Sequence, residues 1–426
     1  MEVHRVAAGV FAIALAITAP LFGQEAGPGD TLLARLTAEA LAANPGLAGL
    51  NARAQAAGAR IRPAGALPDP GLSVTLMDLT LPRFRLRESD FTELDLEARQ
   101  EFPWPGTLGA RTRAAAAVSQ ERRADLAAGR REVILKTATV YHRLRYVIAA
   151  REILRRQHAL LDGSVEIATA RYASGSVPQS DPLAARVARA RLGTEEAAVA
   201  AEETGLRVQL RALRSSAVPE LLAIAPLRPE DVLALYPTLA AHPHGGIESL
   251  EQHPLLAARR AGIASAEATA QAEALGARPD FQVMARYGAR PIGTDFLSAG
   301  IGLRLPLWAG RKQKQLAEAA RQDAEAERAA LAEQRTLLAA EFEATLAEAG
   351  AGLERLRLLL TEVIPSAEAG REAALRSYRV GQSDFQSVLA AEESVYRAQL
   401  EAAQVAAEHL SHLVMLEQLT RGEDVR

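Results

Sequence analysis

Histidine is the residue type in this chain best suited to binding a metal or moving a proton, and there are eight of them. His242, His244 and His253 lie close together, and His409 and His412 are spaced i, i+3, which places both on one side of a helix. A transition-metal site needs such a spacing to be completed by thiolates or by further positioned ligands. Cysteine is absent from the chain, and no carboxylate pattern accompanies the histidines. They read as surface and packing residues, with no metal site and no cofactor. The missing cysteine also excludes disulfides, a thiol nucleophile and lipidation on cysteine. The G-x-x-x-x-G-K-[ST] phosphate loop, the G-x-S-x-G elbow and H-E-x-x-H do not occur. The chain is not read as an enzyme.

A second group of charges is arranged by strand alternation. Between Thr92 and Phe102, Leu94, Leu96, Ala98 and Phe102 fall on one face of a strand. Glu93, Asp95, Glu97, Arg99 and Glu101 fall on the other. Phe281, Val283, Ala285 and Tyr287 alternate with Gln282, Met284 and Arg286. Leu297, Ala299, Ile301 and Leu303 alternate with Ser298, Gly300, Gly302 and Arg304. Segments of about ten residues, apolar on one side and polar on the other, suit a tilted strand crossing a bilayer beside a wet lumen. The lumen-facing set would be Glu93, Asp95, Glu97, Arg99, Glu101 and Arg304. A soluble sheet half covered by helices gives the same alternation. Four strands cannot close a barrel, and open edges in lipid leave backbone groups unpaired. A membrane sheet would therefore have to be pooled by several chains, and three chains give twelve strands, an allowed even number.

Long helices position these strands. No proline occurs between Pro105 and Pro178, and Val133, Val140, Val147, Leu154 and Leu161 recur every seven residues. This predicts a helix over 107–172 with a left-handed supercoiling stripe, roughly 100 Å long. A second helix is predicted over 309–378, with Leu346, Leu353 and Leu360 seven apart. Pro365 removes an amide donor within it and predicts a kink. Returning helices are predicted over 182–213 and 385–419. Helices over 32–62 and 247–277 would complete their layer end to end. The turns between outgoing and returning helices carry Arg171, Tyr172, Gly175 and Asp181 in one hairpin and Tyr378, Gly381, Asp384 and Ser387 in the other. Glycine at 175 and 381 can take the positive φ that reverses the chain.

Composition sets the remaining bounds. With 426 residues, 49% hydrophobic but only 4% aromatic, the chain suits closely packed helices better than a large globular core. A formal net charge of -3 gives no electrostatic case for nucleic acid. Residues 1–23, with Arg5 before the apolar run Val6–Ile17, read as a secretory signal peptide too short to span a bilayer.

The chain is an internal duplication. Asn44-Pro45 then Pro68-Asp69 matches His253-Pro254 then Pro279-Asp280. Phe102-Pro103-Trp104-Pro105-Gly106 matches Leu305-Pro306-Leu307-Trp308-Ala309-Gly310, and Arg171-Tyr172-Ala173-Ser174-Gly175 matches Ser377-Tyr378-Arg379-Val380-Gly381. Pro45 to Pro254, Pro103 to Pro306 and Tyr172 to Tyr378 are separated by 209, 203 and 206 residues, so order and spacing persist. The first repeat covers 31–215, with strands over 72–81 and 92–102. The second covers 247–420, with strands over 281–288 and 296–307. A proline- and glycine-rich belt or linker, 216–246, joins them, and a polar tail, 421–426, follows.

This duplicated helix–strand–strand–long helix–helix plan resembles the TolC-type outer-membrane efflux proteins. The resemblance rests on the order of these motifs in both halves, together with Val363-Ile364-Pro365 and Val388-Leu389. It implies a mainly α fold with a small β part. It also implies a homotrimer with a twelve-stranded outer-membrane barrel, four strands per chain, continuing into a helical coiled-coil tunnel in the periplasm of a Gram-negative bacterium. The implied function is the passive exit duct of a tripartite efflux system for small molecules or metal ions, opening like an iris at its periplasmic tip. Its implied partners are outer-membrane lipid, a periplasmic adaptor (membrane fusion) protein and an inner-membrane pump. The stretch Phe102–Gly106 is most similar to partners of resistance-nodulation-division pumps. A type I protein-secretion exit on the same fold and an exported coiled-coil scaffold are the alternatives. The eight turn residues named above would form the tip gate and adaptor dock, although a plain hairpin turn would use the same residues. Tyr378 matches a position that narrows the closed tip. Ser387 and Ala390 stand where aspartates are usual, and Glu392 and Glu393 read as a solvated face.

Overall fold

The computed structural model describes residues 30–78, 91–216, 222–239 and 246–420. The expected signal peptide, the polar tail, residues 79–81 of the first expected strand, and His242 and His244 lie outside these residues. The belt over 216–246 is described only in part.

Near its start each repeat has a helix begun by a polar cap followed by proline, Pro45–Ala59 and Pro254–Leu275 respectively. In the first, α1 (Thr31–Ala43) gives way to α2 (Pro45–Ala59) and the short α3 (Ile61–Ala64). The Asn44 side chain accepts from the amides of Gly46 and Leu47 at 2.9 and 3.2 Å. Pro45 occupies the first helical position, where its missing donor is not needed. The strands β1 (Gly71–Met77) and β2 (Glu93–Phe102) follow, then α4 (Thr107–Ala173), α5 (Ser180–Leu213) and α6 (Pro229–Leu235), the last lying within the belt. In the second repeat a 3-10 turn (Ile247–Gln252) leads to α7 (Pro254–Leu275). There His253 takes the place of Asn44, its Nδ1 accepting from the Leu255 amide at 3.3 Å. The strands β3 (Asp280–Ala289) and β4 (Phe296–Arg304) then lead to α8 (Gln313–Leu358), α9 (Ile364–Arg379) and α10 (Phe385–Thr420).

Strand β4 ends at Arg304 and not at Leu307, because Pro306 offers no amide to a ladder and Leu305 to Lys312 turn back on themselves. The second long helix therefore starts at Gln313, four residues later than expected. Its irregularity at Pro365 is a π-helical turn, Leu359–Val363. The Ile364 amide reaches back five residues to the Leu359 carbonyl, one residue further than an α-helix requires. The helix continues through it.

The heptad residues of α4 run through three successive cores. Val133 packs with Ala40 and Leu47, Val147 with Leu36 and Leu210, and Leu154 and Leu161 with Leu356, Leu359 and Leu410. Full burial of each leucine contributes roughly 1.5–3 kcal/mol, so the rod is held by its length. The returning helices meet the opening helices end to end. The Asn44 amide reaches the Leu213 carbonyl at 3.5 Å and Arg214 pairs with Glu39, while in the second repeat α10 packs against the 3-10 turn that leads into α7 and Gln418 accepts from Arg131 of α4.

All four strands form one antiparallel sheet in sequence order, β2 beside β3 joining the two repeats. Cross-strand pairing aligns Val74, Leu96, Tyr287 and Leu297 in one row and Leu72, Ala98, Ala285 and Ala299 in another. Among the described residues no helix is long and apolar enough to cross a membrane.

His253 is buried and its imidazole is held near pKa 4, mainly by burial and secondarily by Arg131. The unfolded chain binds a proton near 6.5 and the folded chain does not until about 4. This contribution is complete above pH 6.5 and is lost as pH falls through that window, when Nδ1 can no longer accept from Leu255. His142, buried and also held near 4, works in the same sense. His253→Asn, which copies the cap of the first repeat and cannot titrate, is expected to flatten the loss of thermal stability between pH 6.5 and 4. An unchanged pH profile of the melting temperature would count against this account.

Candidate functional site: the sheet faces and the hairpin tips

Among the described residues nothing covers the apolar face of the sheet. Leu297 and Ile301 are 77% and 82% exposed, and Leu72 and Val74 are nearly as bare. The opposite face is closed by ion pairs instead. Arg286 Nε donates to Asp95 at 2.6 Å and its Nη2 to Glu93 at 2.7 Å. Arg99 pairs with Glu97 at 2.6 Å, and Arg304 reaches across β3 to Glu101. Glu93, Asp95, Glu97, Arg99, Glu101 and Arg304 thus share the polar face. Glu93 and Asp95 are buried beneath arginines and do not head the wall. Apolar out and charged in is the reverse of a protein packed for water, and it matches a strand between lipid and a wet lumen. Aromatic rings sit at both ends of the sheet. Trp104 stacks on Phe281 at 5.7 Å and Trp308 is exposed at the helical end. At the other end the exposed Tyr287 donates its hydroxyl to Asp295 at 2.6 Å.

A family model described as outer membrane efflux protein matches residues 36–217 and 247–421. The chain belongs to the outer membrane efflux protein family. The two matched segments are the two repeats, and the gap between them falls in the belt. A comparison with curated proteins gave no match. Solved structures share the fold of these efflux proteins. CusC superposes with a TM-score of 0.79 at 16% identity, over 94% of this chain and 96% of that one. The outer membrane protein VceC of Vibrio cholerae gives 0.75 at 21%, over 92% and 97%. The outer membrane channel CmeC of Campylobacter jejuni gives 0.75 at 13%, over 98% and 94%. The fold is TolC-like, mostly helical with a small antiparallel sheet.

The tips of this efflux protein are two hairpins closed in the same way. Gly175 and Gly381 have φ of 71° and 76°. Ser176 donates to the Arg171 carbonyl and Gln382 to the Ser377 carbonyl, each at 2.9 Å, closing both outgoing helices with one motif. The equivalent tyrosines then diverge. Tyr172 is exposed, whereas Tyr378 is buried between the two hairpins against Ala168, Ala185 and Phe385. Arg171 stacks over the Tyr378 ring at 4.6 Å and donates to its carbonyl at 2.8 Å. The Tyr378 hydroxyl donates to Asp181 at 3.4 Å. Burial, followed by the Asp181 carboxylate, pushes the phenol above its ordinary pKa and keeps it a neutral donor. Arg171, Asp181 and Tyr378 therefore make one latch joining the hairpins.

Asp384 and Ser387 stand apart from the latch. Asp384 caps α10, accepting from the Ser387 amide at 3.0 Å and from its hydroxyl, and these bonds hold its carboxyl below the ordinary range. Glu392 corrects the expectation of a solvated face: it is buried between α10 and α4 and accepts from Gln157 at 3.3 Å, while Glu393 is exposed and pairs with Arg397. The helical periodicity did not separate these neighbours, because which one is covered depends on α4. His409 is buried against the Ala349 carbonyl at 3.1 Å, and His412 faces Glu348. Among the described residues no cluster of three or more side chains could hold a metal ion.

Sequence reasoning passed over Arg290 and Phe296, which complete the polar face near the β3–β4 hairpin. Arg286 had a signal in its alternation, but Arg290 lies just past the strand and Phe296 is an aromatic on the polar face.

Tyr378→Phe keeps the ring contacts and removes the bond to Asp181. It is expected to weaken the latch by about 1 kcal/mol, speeding amide hydrogen exchange in the last turns of α9 and the first of α5 while α4 near Leu144 is unchanged. Equal exchange at the tip in both proteins would show that the hydroxyl holds nothing.

Proposed function

We propose that three copies of this efflux protein pool their sheets into a twelve-stranded barrel in the outer membrane of a Gram-negative bacterium. Their helices continue it as a duct through the periplasm. The observation that carries this reading is the bare apolar sheet face with a free edge at β1 and at β4. In lipid those edges need partners, and copies of the same chain can supply them, the seven-residue β1 of one beside the nine-residue β4 of the next. The aromatic residues at both ends of the sheet fit the two girdles of an outer-membrane barrel. Export through the duct is passive, because the chain has no nucleotide-binding loop and the wall is a lined passage. It serves a tripartite efflux system for small molecules or metal ions, with a periplasmic adaptor and an inner-membrane pump of the resistance-nodulation-division type. The tips named above are where the adaptor docks and the duct opens.

The second hairpin is the moving part in this reading. The π-turn before Pro365 is the weakest point of its outgoing helix. Beside it, between α4, α10 and the belt, lies an open cleft of about 760 Å³ lined by Leu360, Ile364 and Glu368. The first hairpin has neither a proline nor a π-turn along α4.

Mature protein extracted from outer membranes in detergent is expected to run as a heat-resistant trimer and to conduct ions in planar bilayers. A water-soluble monomer needing no detergent would overturn the duct. Pro365→Ala is expected to reduce opening frequency and efflux without loss of the trimer. If openings and efflux match wild type, the hinge is elsewhere.

A further inference from the structure

We propose that the hairpin end of the barrel lumen is an anion-contacting collar built by Arg286 and Arg290. The proposal deepens the duct reading and rests on it, since it takes the charged sheet face as lumenal.

The polar face is layered. In each of its ion pairs the arginine is the more exposed partner: Arg290 is 39% exposed over Glu93 at 6%, and Arg304 is 59% exposed over Glu101 at 31%. Arg286 lies over Glu93 and Asp95, and Arg99 over Glu97, in the same order. A solute in the lumen therefore meets guanidinium N–H groups first, with the carboxylates beneath them.

The layering is most complete beside the β3–β4 hairpin, at the end of the sheet remote from the long helices. One carboxylate, Glu93, bridges two arginines. Its Oε1 accepts from Arg286 at 2.7 Å, and its Oε2 accepts from Nε and Nη2 of Arg290 at 3.4 Å. Both guanidiniums also lie over the ring of Phe296, at 5.6 and 4.7 Å from its centre. The ring rests against Gly288, where a Cβ would come within 2.7 Å of it, so glycine makes room for the aromatic support. Each arginine bonds the carboxylates through Nε and Nη2, and among the described residues the Nη1 amino group of neither has a hydrogen-bond partner. Two oriented guanidiniums with donors to spare suit a phosphate, sulfate or carboxylate group. Their charge is already balanced by Glu93 and Asp95, so contact is weak and reversible, as passage requires.

The test uses wild-type protein in planar bilayers with KCl, adding tripolyphosphate or a trivalent cobalt hexammine to one side at a time. Tripolyphosphate is expected to reduce the current from one side only. Arg290→Gln is expected to raise the blocking concentration about tenfold, and Glu93→Gln, which removes the compensating charge, to lower it. The wild-type comparison of polyanion with polycation stands even if a variant fails to fold. A normal KCl current unaffected by tripolyphosphate, or blocked by the cation alone, would overturn the collar and leave the duct intact. Block that is the same in Arg290→Gln would place the contact elsewhere and overturn it too. Absence of any wild-type current would overturn the duct reading itself, and the collar with it.

Discussion

A sheet of four antiparallel strands whose apolar side faces outward cannot be completed by the chain that makes it. Strand β1 has seven residues and β4 nine, and among the described residues each presents one row of backbone donors and acceptors with no neighbouring strand. In water such groups would be solvated. Against hydrocarbon each unpaired group costs several kcal/mol, which exceeds what any row of exposed leucines recovers. The strand edges and the apolar face therefore impose opposite demands, lipid on the face and protein on the edges. In the proposed trimer, closure into a ring of copies meets both.

That constraint explains the rest of the chain. If the barrel is shared, the helices below must be long, stiff and repeated in step with the strands. The duplication supplies this by giving each pair of strands its own outgoing rod and returning arm. The two repeats reach the same joints with different side chains. Asn44 and His253 both start a helix before proline, and Ser176 and Gln382 both close a tip. Where the repeats differ, they differ in helix regularity and burial. Only the second outgoing helix carries a proline and π-turn, and only Tyr378 of the two tip tyrosines is wedged between hairpins. An even repeat builds a matched pair of hairpins, and the proposed hinge lies where the second departs from the first.

Much of this was legible in the sequence because it is periodic. The seven-residue stripe from Val133 to Leu161 and the two-residue alternation around Glu93 to Phe102 are local, and both appear where the period placed them. The cap-and-proline joints were visible as recurring pairs before their role as helix starts was. What periodicity does not encode is the neighbour. Glu392 and Glu393 are adjacent in a helical pattern, and only the approach of α4 decides that one is buried. Tyr172 and Tyr378 occupy the same position of the same motif, yet the packing of one hairpin on the other covers only Tyr378. Strand ends depended on single residues, as at Pro306, which a ten-residue alternation averages over.

The polar sheet face shows why counting charges misleads most where function is at stake. Along β2 the sequence is acidic, and a ring of carboxylates would favour cations. The carboxylates, however, sit on short stems close to the sheet, and the arginines that answer them come on longer ones, Arg99 from β2 itself and the others from β3, β4 and the hairpin. A longer side chain paired to a shorter one across strands must end further from the backbone, so its head forms the surface. The order of layers follows from side-chain length and strand register, which places Glu97 opposite Arg286 and lets that arginine lean toward Asp95 and Glu93. An acidic strand beside arginine-bearing strands thus presents guanidinium groups outermost, over carboxylates that balance their charge.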